Sequence, residues 1–81
     1  MDRDLLARCG IALYGREWVS PLAAALGITP RTIHRWKAGD HEPSDPEAWP
    51  RIKSELREML IIRRAELSSD RERIAELITL L

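Results

Sequence analysis

The stretch from Val19 to Gly39 reads VSPLAAALGITPRTIHRWKAG, and its punctuation decides how the rest of the chain is read. An apolar run from Val19 to Leu26 stops at Gly27. Thr29 then offers an N-cap oxygen directly before Pro30, a residue well suited to the first helical position because its missing N–H has no helical partner there. Gly39 closes the second run. Two short helices, Val19–Leu26 and Pro30–Ala38, are therefore expected on either side of Gly27-Ile28-Thr29, with Pro21 tolerated in the first turn of the earlier one. A connecting glycine supplies the positive φ that lets two helices cross steeply, and Ala23, four places before it, is small enough for the second helix to approach. Leu22, Leu26, Ile28, Ile33 and Trp36 supply apolar side chains where the two helices meet.

The second helix sorts its own faces. Ile33 and Trp36 point inward at i, i+3 spacing, which turns Arg31, His34, Arg35 and Ala38 outward and leaves Thr32 and Lys37 on the flanks.

Working outward, Leu5, Leu6, Cys9 and Ile11 to Leu13 predict a first helix from about Asp2 to Tyr14. Asp2 and Asp4 stand at its positive end, and Gly15 stops it. After Gly39, Asp40 to Asp45 form an acidic loop containing Pro43. Ser44, with Glu47 three residues later, has the spacing of a capping box that would start the next helix, with Pro50 in its first turn or marking a slightly later start. Ile52, Leu56, Met59 and Leu60 then trace one helical face. In the C-terminal third, Leu60, Leu67, Ile74 and Leu81 recur every seven residues, as in a coiled coil, but Arg63 or Arg64 and Asp70 or Arg71 fill the companion seam. A break at Ser68-Ser69 is the favoured alternative to one long helix. Ser69 and Glu72 form a second capping-box pattern there, followed by Ile74, Leu77, Ile78 and Leu81. No segment alternates with a period of two, so the chain is expected to be all-α.

Composition agrees with a small soluble domain: 81 residues, 44% hydrophobic and 32% charged, with no Phe and three Trp as the large core pieces. The expected organisation is a unit over residues 1–55 and a helical dimerisation region over 56–81, packed as one body. No apolar run reaches membrane-spanning length. The charged start, Met1 to Asp4, is not that of a secretory signal. The lone Cys9 fits a reducing cytoplasm and is expected to be a core residue. The formal net charge is zero, yet residues 1–38 hold six Arg or Lys against three Asp or Glu, whereas residues 39–55 hold two against five. Local positive potential, not the average, is what a DNA-binding face needs.

With Ala23, Gly27, Thr29, Ile33, Trp36 and Gly39 in place, residues 11 to 60 resemble the Cro and lambda-repressor-like helix-turn-helix family of small phage and bacterial transcriptional regulators. The resemblance implies a compact four-helix domain with a C-terminal helical extension. It also implies that the helix from Pro30 lies in the major groove. Arg31, Thr32, Arg35 and His34 would then read bases; an arginine can donate twice to guanine, and the threonine methyl suits thymine. Where related proteins often have Gln or Ser, this chain has Pro30, which can touch a thymine methyl but cannot hydrogen-bond a base. The acidic loop after Gly39 is a second departure, since relatives often place basic residues there. Thr29, Lys37, Ser20 and Arg16, at the rims of the two helices, are suited to phosphates.

Leu60, Ile61, Ile62, Leu67, Ile74, Leu77, Ile78 and Leu81 are the expected dimerisation residues. Met59 to Ile62 point all round a helix, and one domain's core covers only one side. A two-fold dimer would present two recognition helices about 34 Å apart to an inverted repeat. Double-stranded DNA and a second copy of the chain are thus the expected partners, and repression by promoter occupancy is the expected mechanism. Two other classes stay open: a protein-binding module, such as an antitoxin or anti-CRISPR, motivated by the acidic segment, and a DNA-binding subunit of a larger recombination or packaging assembly. Catalysis, metal, small-molecule ligand and cofactor are not expected. His34 and His41 have no ligand-spaced partners, and the acidic groups around His41 are ordinary solvated residues. Trp18 and Trp49 are expected in the core or at its edge, Trp18 with an outside prospect of touching the DNA backbone.

Overall fold

The computed structural model describes residues 1–81 and is all-helical, with α1 at Arg3–Tyr14, α2 at Val19–Leu26, α3 at Pro30–Ala38 and α4 at Ala48–Leu80. Each of the first three helices begins or ends on a bond that the sequence dictates locally. Asp2 caps α1 by accepting from the Leu5 amide at 3.0 Å. Gly27, at φ 71°, ends α2 in a Schellman turn: its amide donates to Ala24 and the Ile28 amide to Ala23. Thr29 caps α3, its Oγ1 accepting from the Thr32 amide at 3.3 Å, with Pro30 in the first turn. The end of α3 repeats the Schellman pattern, the Gly39 amide donating to Trp36 and the Asp40 amide to Arg35.

The core is Leu6 from α1, Trp18 at the head of α2, Leu22 and Ala23 from α2, Ile33 and Trp36 from α3, and Ile52 and Leu56 from α4. Leu6, Leu22 and Ile33 are wholly buried. Cys9 and Trp49 are partly buried and packed against this cluster. Burial of the Cys9 thiol raises its pKa above the ordinary value, and Arg8 only partly opposes this.

Gly10 lies in the middle of α1, where a glycine is otherwise costly. Its reason is Trp18. A Cβ at position 10 would stand 2.5 Å from Cδ2 and 2.9 Å from Cζ3 of that indole. The bare backbone is therefore the seat on which the ring rests, and it sets how closely α1 and the start of α2 approach.

Two expectations about α4 are corrected. The Ser44 capping box does not form. Instead Asp45 accepts from the Glu47 amide at 2.9 Å, and the helix begins at Ala48 with Pro50 in its first turn. Asp45 is one residue nearer and makes a tight Asx-type turn, which leaves Ser44 outside. Nor does the chain break at Ser68-Ser69. α4 is one helix of 33 residues, about 50 Å at 1.5 Å per residue, and it sets the 54 Å long axis of a molecule 22 and 20 Å across. No glycine or proline occurs after Pro50, and the bridges Arg63–Glu66 and Asp70–Arg73 flank the two serines on the same helix. Serine alone is too mild a breaker to end a helix so supported. The C-terminal extension is thus the second half of α4, while Leu56, just beyond position 55, belongs to the core. No helix is long and apolar enough to cross a membrane.

Candidate nucleic-acid interface

α3 rests on α2 through Ile33 and Trp36, which are 0% and 5% exposed. With those two positions fixed, the opposite face carries Arg31, His34, Arg35 and Ala38, and all four are exposed. Arg31 and Arg35 take part in no ion pair or side-chain hydrogen bond within the chain, and neither does His34. Their donors are free on a helix whose register is locked from beneath, so their directions are set by packing and their hydrogen-bonding capacity is unspent. Lys37, on the flank, holds its ammonium 5.1 Å from the centroid of the Trp18 ring, within cation–π range.

Thr29 and Thr32 are placed differently from the other expected contacts. Their hydroxyls are 2.9 Å apart and bonded to each other, while Thr29 also caps the Thr32 amide. Both hydroxyls thus serve the helix start, and Thr32 is half-exposed. Arg16, in the turn between α1 and α2, and Ser20, in the first turn of α2, are exposed. Trp18, between them in sequence, is 4% exposed and is a core residue with no surface for a DNA backbone.

The acidic loop is not simply solvated. Glu42 accepts from Arg3 Nη2 at 3.3 Å, and the amino group of Met1 stands 3.7 Å from the same oxygen. The Arg3 guanidinium also lies over Gly39, 3.5 Å from the place of a Cβ. These contacts tie the end of α3 to the start of α1 and neutralise part of the loop's charge. Sequence reasoning missed this pairing, as it missed Gly10, because partners 39 and 8 residues apart leave no periodic signal. No three His, Cys, Asp or Glu side chains converge to hold a metal ion.

The expected dimerisation residues divide in two. Leu60 is half-buried beside α1, whereas Ile61, Ile62, Leu67, Ile74, Leu77, Ile78 and Leu81 are exposed, Ile78 by 68% and Leu81 completely. α1 reaches along α4 as far as Arg63 and Glu66, beside Leu13 and Tyr14, and from residue 71 onward every residue of α4 is exposed.

The fold and this surface define the protein as a four-helix, all-α chain with an anchored basic helix on its exterior. Set beside known proteins, it finds no match: no family model, curated protein or solved structure corresponds to it.

Proposed function

We propose that the chain is a sequence-specific DNA-binding regulator of the lambda-repressor-like helix-turn-helix type, acting as a homodimer on an inverted repeat and repressing by promoter occupancy. One observation carries the reading. Arg31, His34 and Arg35 stand exposed and unpaired on the face of α3 opposite Ile33 and Trp36, the two anchors to the core. A major-groove reader needs this combination, because bidentate donation to a guanine edge tolerates little freedom in the side chain's origin. Arg31 and Arg35 take the base-reading role, with His34 beside them and the Thr32 methyl available to thymine. Lys37, Arg16 and Ser20 serve phosphates, and the cap at Thr29 presents the amino end of α3 to the backbone.

The acidic segment motivates the competing view of a protein-binding module. The ion pairs of Glu42 with Arg3 and the Met1 amine favour the DNA reading, since they commit part of that segment to holding the fold together.

The test is a footprint of the purified protein on its own upstream region, followed by titration of the protected duplex. Arg35→Ala costs about 1–3 kcal/mol on the cognate site and relaxes its sequence preference. Unchanged operator binding by an Arg31→Ala/Arg35→Ala double variant refutes the assigned docking. Binding to a protein partner that is indifferent to salt, with no footprint, refutes the function.

A further inference from the structure

The exposed half of α4 does not stand on a face of its own. Pro50, Lys53, Arg57, Leu60 and Arg64 form one wall of a groove whose opposite wall is Leu5 and Cys9 of α1. Continued along the helix at the same three- and four-residue steps, that row becomes Leu67, Arg71, Ile74, Ile78 and Leu81. One face of α4 is thus a groove of mixed apolar and basic lining in its first half and an uncovered apolar ridge in its second. The ridge residues Leu67, Ile74, Ile78 and Leu81 are each about half exposed or more. Together they leave on the order of 500 Å² uncovered per chain, against about 800 Å² per partner in a standard stable interface.

We infer that the ridge of α4 seats in the α1–α4 groove of a second copy of this chain, so that the two α4 helices pair antiparallel. Charge decides the orientation. In a parallel pair each seam residue meets its own counterpart. The companions of Leu60, Leu67 and Ile74 are then Arg64 with Arg71, or Arg63 with Asp70. Either choice sets two like-charged pairs against each other along the seam, and the groove is left empty. In the antiparallel pair Leu67 packs beside the second copy's Arg64, and Ile74, Ile78 and Leu81 follow its groove past Arg57, Lys53 and Pro50. The aliphatic stems of those basic residues cover apolar surface while their charges stay in water. The same register brings Arg63 of each chain, which Glu66 pairs within its own chain, near Asp70 of the other, which Arg73 pairs, so that a shared four-charge cluster forms twice by symmetry. It also sets the two folded heads about 40 Å apart along the helix axis, near the roughly 34 Å turn of B-DNA.

This rests on the dimeric part of the function proposed above and not on its DNA-binding part. The test introduces Ile74→Cys at an exposed position and keeps the native Cys9 as the second thiol. After oxidation with copper phenanthroline, peptide mapping yields a covalent dimer joined between Cys9 of one copy and position 74 of the other. A bond between the two copies' position 74 overturns the orientation while leaving dimerisation and DNA reading standing, and a monomer by sedimentation at micromolar concentration overturns the pairing altogether. As an independent measurement, Arg63→Glu weakens dimerisation about tenfold, and adding Asp70→Arg restores it to within about threefold. Failure of the second substitution to restore it overturns the register.

Discussion

Substituting Gly10 by alanine tests the closest packing in the molecule, because local and tertiary effects predict opposite signs. In an exposed helix interior, Gly→Ala stabilises by about 1 kcal/mol through backbone entropy. Here the added Cβ falls 2.5 Å from Cδ2 and 2.9 Å from Cζ3 of Trp18, whereas carbon atoms at ease stand about 3.5–4 Å apart. Cε3 lies nearer still, so the indole must retreat by more than about 1 Å. It is a rigid ring, 4% exposed, at the head of α2, joined to α1 by the short turn of Gly15, Arg16 and Glu17, so a side-chain rotation alone gives little relief. Forcing a methyl into such a core costs about 1–3 kcal/mol, the upper half of that range applies to an aromatic wall, and the helix returns about 1 kcal/mol of it. The net expectation is a loss of about 1–2 kcal/mol, or roughly 5–15 °C in melting temperature for a domain of this size. Thermal and urea melts by circular dichroism measure it, at matched protein concentration because a dimer's midpoint moves with mass action. Repeating the substitution in a Trp18→Leu background isolates the contact. Without the indole the same change becomes neutral or stabilising, giving a coupling of at least about 1 kcal/mol. A Gly10→Ala protein that melts at or above the wild-type temperature refutes the reasoning.

Ser69→Ala separates one long helix from two. In a continuous α4 it gains up to about 0.5 kcal/mol and raises helicity at 222 nm, whereas loss of a cap would cost about 1 kcal/mol and lower it. Thr29→Ala removes the bond to the Thr32 amide and costs about 1 kcal/mol in urea unfolding; a cost near zero means that water caps α3 equally well. Lys37→Ala weakens binding to cognate and scrambled duplexes alike and lowers the salt slope by about 1. A changed sequence preference at an unchanged slope would instead make Lys37 a base reader.

The boundaries of α2 and α3 were legible because each is fixed by residues that act on their immediate neighbours. Gly27 and Gly39 turn the chain through positive φ, and Thr29 and Pro30 start a helix with bonds no longer than one turn. The outward set on α3 followed from Ile33 and Trp36, since two buried positions fix the phase of a short helix. α4 defeated the same method in two places. A serine followed three residues on by a glutamate describes a helix start, but it also describes an ordinary stretch of helix interior, and only surrounding breakers distinguish them. Around Ser69 there are none, and at Ser44 the neighbouring Asp45 reached the free amide first. The seat of Trp18 on Gly10 and the tie of Glu42 to Arg3 depend on how helices meet in space, so neither leaves a pattern in the linear sequence. The second makes the acidic loop a brace behind α3.

Trp18 touches both halves of this molecule's business. Its indole rests on Gly10 and lies under the ammonium of Lys37, so one side chain registers the fit of the core and the charge on the flank of α3. Stability and the placement of Lys37 therefore cannot be tuned separately at this position: a smaller side chain that loosens α1 against α2 also releases the lysine. The same coupling makes the ring an internal optical probe. On the proposed reading, a phosphate that draws Lys37 away changes the emission of this buried ring.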